Sequence, residues 1–230
     1  MKSELIVMLT NQDVTVPNAR ELFLECAHLP VAFWGFKDVG LAKPEMVRLV
    51  EEFSAAGKTP VLEVVQFEEA KALEAARLAR DCGIEYFTGT RYSPAVHAFA
   101  QEAGLKYFPF CGEVSGEQIA LTGSIEEIVE DAQRVLDAGT DGVDLTAYRS
   151  VTADPVALAR ELVARVGGER VIIAGSINTV EQVQLMDEIG PLGFTMGGAL
   201  FESRFVPGGS FKENLQFVVD TLHDLRMKVS

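Results

Sequence analysis

Apolar and polar positions alternate along this chain with a long period. Short apolar runs recur at intervals of roughly 25 to 30 residues, each followed by an amphipathic helical pattern, the order expected of parallel strand–helix units. The runs are residues 5–9, 31–36, 61–65, 85–87, 106–110, 142–145, 171–174 and 193–196. Helical patterns follow Pro17, cover 44–56 and 68–80, run from Pro94 to Gly104, start near Ser124, run from Pro155 to Gly167, start at Thr179, and close the chain over 211–227. Gly57, Gly83 and Gly104 supply stop signals, and Ser124 with Glu127 three residues on reads as a capping box. Eight such units predict one domain over residues 1–230, an α/β fold of the (β/α)8 TIM-barrel type. The stretch SGEQIALT between Val114 and Thr122 is the longest interruption, either a cover for a ligand or a plain surface excursion.

The last two runs carry the strongest functional signal. The run 171–174 stops at Gly175 and Ser176; the run 193–196 stops at Gly197 and Gly198, which lead into a short helical stretch at Ala199, Leu200 and Phe201. Glycines at strand ends let backbone N–H groups approach an anion, and a helix amino terminus presents further unpaired donors. In an eight-unit barrel the loops after strands seven and eight commonly bind phosphate. Gly175, Ser176, Gly197 and Gly198 are therefore the expected phosphate-binding residues.

Charge narrows the partners. The 230 residues carry a formal net charge of −14, which argues against nonspecific binding to nucleic acid or to an anionic membrane. A phosphorylated small molecule would need local cations. Three cysteines, Cys26, Cys82 and Cys111, lie far apart and show no metal or redox spacing. With no targeting pattern and no run of membrane-spanning length, a cytoplasmic protein is expected, and a symmetric homodimer would be ordinary.

The carboxyl-terminal segments IIAGSINTVEQ and FTMGGALF resemble the ends of strands seven and eight in N-acetylmannosamine-6-phosphate 2-epimerases. They are also similar to those of 2-keto-3-deoxy-6-phosphogluconate aldolases and ribulose-phosphate 3-epimerases. The resemblance implies a phosphate-binding barrel. A second resemblance, through VLEVV, ALEAARLA, FTGT and AGLKYF, follows the keto-deoxy-phosphogluconate aldolases, and it aligns Glu63 with a catalytic Glu of that family. Asp144 stands where that family's Schiff-base Lys would fall, which argues against imine chemistry by its route. Lys37 matches a proton-handling Lys of the mannosamine-phosphate epimerases, whereas Ala174 and Gly175 occupy the place of their second residue, a Glu.

Glu63 and Asp144 are also notable on their own, as carboxylates within otherwise apolar runs. Proton abstraction beside a carbonyl needs a base and a group that stabilises the resulting enediolate. Lys37, Glu63 and Asp144 are the catalytic candidates, with a buried structural ion pair as the plain alternative for Lys37 and Glu63. Arg91 and Arg149, after strands four and six, are candidates to clamp an acidic group; Tyr148 and Phe110 are candidates for a pocket wall. His28, His97 and His223 fall in or beside helices without ligand spacing, so no histidine metal site and no cofactor is expected, a divalent metal remaining open. The expected activity is isomerisation or epimerisation of a small sugar phosphate. The alternatives are carbon–carbon cleavage without a Schiff base, with metal assistance from Glu63 and Asp144, and a non-catalytic phosphometabolite sensor.

Overall fold

A computed structural model of the chain describes residues 2–116 and 119–228. Its eight parallel strands close into a barrel. They are β1 (Glu4–Met8), β2 (Phe33–Lys37), β3 (Thr59–Val64), β4 (Tyr86–Arg91), β5 (Lys106–Phe110), β6 (Val143–Leu145), β7 (Val171–Ile173) and β8 (Gly193–Met196). Each predicted apolar run is a barrel strand. The strands alternate with α1 (Ala19–Cys26), α2 (Lys43–Ala55), α3 (Glu69–Cys82), α4 (Pro94–Ala103), α5 (Ile125–Asp137), α6 (Pro155–Val166) and α7 (Val180–Ile189), and α8 (Gly198–Phe201) and α9 (Phe211–Lys228) follow β8. Pro17 lies outside α1, ahead of its cap at Asn18.

Local chemistry sets these boundaries. Ser124 and Glu127 form the predicted capping box on α5, and Thr179 with Gln182 forms another on α7. Gly83 ends α3 in the left-handed region at φ 78°, where a side chain would be strained. The ring closes through β1 and β8, which pair from Glu4 with Gly193 to Val7 with Met196. Arg226 of α9 ties that seam, bonding Asp187 of α7 at 3.1 Å and the Ser3 carbonyl at 2.5 Å.

Strand alternation divides the core in two. One set of residues, including Leu5, Val7, Trp34, Phe36, Leu62, Phe87 and Phe194, packs outward against the helices. The other set, Ile6, Met8, Val61, Tyr86, Phe108 and Ile172, fills the barrel interior. Glycines make room for this filling: a Cβ at Gly142 would meet the Phe108 ring at 2.1 Å, and one at Gly35 would meet Met8 Sδ at 2.6 Å. Two residues further along their strands, toward the carboxyl ends, the inward positions become polar. Lys37 follows Gly35, Glu63 follows Val61, Thr88 follows Tyr86 and Thr195 follows Gly193. The site stands on this polar layer, supported from below by a packed apolar one.

Two loops depart from the sequence reading. The predicted fourth strand ended at Phe87, but β4 continues to Arg91 through a bulge at Gly89 (φ 78°) and Thr90 (φ 62°), where its register with β5 shifts. A Cβ at Gly89 would meet the Val64 carbonyl oxygen at 2.3 Å, so the close strand approach requires glycine. The stretch between Val114 and Thr122 contains an antiparallel hairpin, Glu113–Ser115 with Ala120–Thr122. Residues 117 and 118 of that expected loop lie outside the described residues.

Candidate active site

At the carboxyl ends of the strands lies a cleft of about 340 Å³, bounded by Asp13, Lys37, Glu63, Arg149, the 175–178 turn and the 197–199 turn. Register builds one wall of this cleft. Lys37 of β2 pairs with Glu63 of β3, and Glu63 pairs with Thr88 of β4, so these three side chains belong to one layer. Lys37 Nζ is 3.6 Å from a Glu63 carboxylate oxygen. Both residues are buried, at 5% and 7% exposure.

Asp13, which the sequence analysis did not single out, completes this wall. Its carboxylate accepts a hydrogen bond from Lys37 Nζ at 2.7 Å. A two-residue hairpin after β1 holds it there: Asn11 pairs with Val14, and the turn residues Gln12 and Asp13 have φ of 50° and 61°, the signature of a type I′ turn. Thr15 then docks the hairpin onto β2. Its hydroxyl donates to the Lys37 carbonyl at 2.8 Å and accepts from the Lys37 N–H at 2.9 Å.

The electrostatics follow from this packing. Burial pulls the Lys37 ammonium down, but the charge of Glu63 and the hydrogen bond and charge of Asp13 outweigh it and hold the group above the ordinary lysine range. Burial pushes the Asp13 carboxyl up; the hydrogen bond and charge of Lys37, with Arg149 adding, reverse this and leave it below the ordinary range. Lys37 is therefore an ammonium at neutral pH. It suits stabilisation of negative charge and does not suit nucleophilic attack.

Asp144 stands in β6 as expected, but not on the cleft surface. It is fully enclosed, at 0% exposure, and it bounds neither this cleft nor the neighbouring one. The Thr88 hydroxyl and the Gly89 N–H stand near its carboxyl, yet neither oxygen meets hydrogen-bond geometry. Burial pushes the carboxyl well above its ordinary range, the negative charge of Glu63 adds to this, and Lys37 only partly offsets it. Asp144 is enclosed and lies close enough to Glu63 and Lys37 for their charges to act on its carboxyl, but it does not line the cleft.

The opposite wall carries open backbone donors and an arginine. Gly175 (φ 80°) and Ser176 (φ 61°) are both left-handed, and the N–H groups of Ser176 and Ile177 meet no protein acceptor among the described residues. Gly198 and Ala199 open α8, so their N–H groups lack intrahelical acceptors. Arg149 sits against this turn: a Cβ at Gly175 would come within 3.2 Å of its side chain. Its Nε is buried without a hydrogen-bond partner. Among the described residues Arg149 has no carboxylate partner, in contrast to Lys37.

All four proposed phosphate contacts, Lys37, Glu63 and Arg149 thus converge on one cleft. Arg91 does not. The bulge in β4 turns it away, and it lies over the Phe67 ring, 5.7 Å from the centroid, while bonding the Val114 carbonyl at 3.4 Å. Phe110 packs in the core and Tyr148 is half-buried; neither bounds the cleft. His97 is buried in α4 near the Gly139 carbonyl, and His28 and His223 are exposed. Asn178 and Thr195 also line the cleft. Thr195 was detectable as the one polar residue in its apolar run.

Comparison with known proteins identifies the fold. No protein-family profile matches the chain, and no curated protein sequence does. Solved structures match over nearly its full length. A structure described as native KDPGal superposes with a TM-score of 0.67 at 14% identity, covering 99% of this chain and 96% of that one. A chain of the tryptophan synthase α2β2 complex of Pyrococcus furiosus gives 0.66 at 15% identity, covering 98% and 99%. A mandelate oxidase mutant carrying a monooxide FMN adduct gives 0.64 at 17% identity, covering 96% and 73%. This chain is a TIM barrel. At such identities the likeness concerns the fold and leaves the chemistry to the site.

Proposed function

We propose that this barrel is an isomerase or epimerase of a small phosphorylated metabolite, most consistent with a sugar phosphate. The unpartnered Arg149 guanidinium beside the Gly175–Ser176 turn carries the proposal. Arg149 is half-buried with its Nε enclosed and unbonded, and a bound phosphate would supply charge-assisted hydrogen bonds to it and to the backbone donors of both turns.

The facing wall supplies proton transfer. With the phosphate anchored, the carbonyl end of the ligand meets Lys37 and Glu63. The Glu63 carboxylate removes the proton next to the carbonyl, and the Lys37 ammonium stabilises the enediolate oxygen. Returning the proton to the neighbouring carbon gives isomerisation. Returning it to the other face gives epimerisation, for which Asp13 offers a second carboxylate, bonded to Lys37.

A second reading is carbon–carbon cleavage of a phosphorylated keto acid, supported by the Lys37 ammonium beside Glu63. The same ammonium would stabilise the enolate released. The charged state of Lys37 disfavours a Schiff base at that position, so this route would run without one. Product analysis with a panel of sugar phosphates and phosphorylated keto acids separates the readings. Glu63→Gln should lower turnover by roughly 10²- to 10⁴-fold while leaving phosphate affinity unchanged. Turnover unaffected by this change would refute the role of Glu63. Binding of a phosphorylated metabolite without turnover of any panel member would instead support a sensor.

A further inference from the structure

A second cleft, of about 470 Å³, opens beside the first and shares two of its walls, Asp13 and Lys37. The acid–base reading makes no use of it. Its remaining walls include Asp38 and Val39 after β2, Val65 and Phe67 after β3, and Ile119 from the hairpin after β5. Arg91 fixes the aromatic wall from outside, since its guanidinium stacks on Phe67 within cation–π range and is itself held by Val114.

The two clefts differ in chemistry. The first presents the free Arg149 guanidinium and two turns with open N–H groups. The second sets Val39, Val65, Phe67 and Ile119 beside Gln66 and the charged Asp13, Lys37 and Asp38; burial pushes the Asp38 carboxyl above the ordinary range, a backbone hydrogen bond and Lys37 partly offset this, and Glu63 adds to it. The Asp38 carboxyl offers an acceptor to a hydroxyl or amine. A phosphorylated three- to six-carbon chain needs only the first cleft, whereas pockets for larger ligands run to roughly 300–1,000 Å³.

Building on the phosphate reading above, we infer that the ligand of this site is bipartite. Its phosphorylated end occupies the first cleft, its reacting carbons pass Lys37, and an uncharged, largely apolar group bearing a hydrogen-bond donor fills the second cleft against Val39, Val65, Phe67 and Ile119.

The test uses methyl- and amide-labelled full-length protein titrated separately with benzyl alcohol and with inorganic phosphate, followed by NMR. Benzyl alcohol should shift the methyl signals of Val39, Val65 and Ile119 saturably, and phosphate should shift the amide signals of Ser176, Ile177, Gly198 and Ala199. Val39→Ser, at an exposed position, and Phe67→Ser should weaken benzyl alcohol binding, the latter at least roughly fivefold, while phosphate shifts persist. In calorimetry, 3-phenylpropyl phosphate should bind roughly tenfold more tightly than propyl phosphate. Benzyl alcohol shifts that are absent, or that survive both substitutions, overturn the apolar subsite whatever phosphate does. Shifts with benzyl alcohol and none with phosphate sustain the subsite and remove the phosphate reading on which its bipartite ligand rests.

Discussion

Asp144→Asn should stabilise the protein, increasingly so as pH rises. Asp144 is fully enclosed and its folded-state carboxyl is held well above the ordinary range by burial and by Glu63. The sign follows from linkage. Above the unfolded-state value of about 3.9 the unfolded chain releases this proton while the folded chain keeps it, so folding stability falls as pH rises until Asp144 ionises in the fold. Each pH unit in that window costs the wild type about 1.4 kcal/mol at this residue. Asn is neutral and of the same shape, so it removes the cost. Urea denaturation of both proteins from mildly acidic to neutral pH should show the stability difference growing in favour of Asn as pH rises, by at most about 1.4 kcal/mol per unit, and levelling off once Asp144 ionises in the fold. A difference constant with pH, or one that moves against Asn, would refute a neutral buried Asp144.

Other perturbations address the remaining parts of the site. Arg149→Ala should weaken binding of inorganic phosphate by roughly tenfold or more, the loss of a charge-assisted hydrogen bond worth about 1.5–3 kcal/mol; calorimetry showing equal affinity would exclude Arg149 from the anion site. Asp13→Asn should destabilise the fold at neutral pH by about 1 kcal/mol or less, since half the Asp13 side chain is exposed and its pair with Lys37 is screened. The folded-state carboxyl is lowered, so its contribution is present above the unfolded value and vanishes as pH falls through the folded one. Acid titrations of wild type and variant should therefore converge as pH falls below the ordinary carboxyl range, and curves that remain apart at the acid end would contradict the Lys37–Asp13 pairing.

The barrel was legible because each strand is a local apolar run and most helix ends carry local signals, such as the Ser124–Glu127 box. Lys37 and Glu63 could be found because a charge at a strand end or within an apolar run is conspicuous. Asp13 could not, since its place depends on an I′ hairpin docking onto β2 through Thr15, a contact spanning 22 residues of sequence. The bulge at Gly89 and Thr90 turned Arg91 away from the expected cleft; FTGT read as a strand end, yet the chain continued pairing with β5. Asp144 was recognisable as an odd residue, but its depth depends on where β6 sits against β5 and β7. The second cleft arises from loops after four different strands, which no single stretch of sequence displays.

The anion site is tested most directly by a thermal-shift screen of inorganic phosphate and sugar phosphates on wild type and Gly198→Asp. A Cβ at Gly198 meets nothing nearer than a Glu202 carboxylate oxygen at 3.8 Å, so the variant should fold while placing a negative charge at the anion site. A ligand at a hundredfold its Kd stabilises the native state by about 2.7 kcal/mol, or roughly 5–10 °C for this length of chain. The account predicts such a shift for the wild type with at least one phosphorylated compound and its loss in the folded variant. No shift with any phosphate compound, or an equal shift in both proteins, would contradict it.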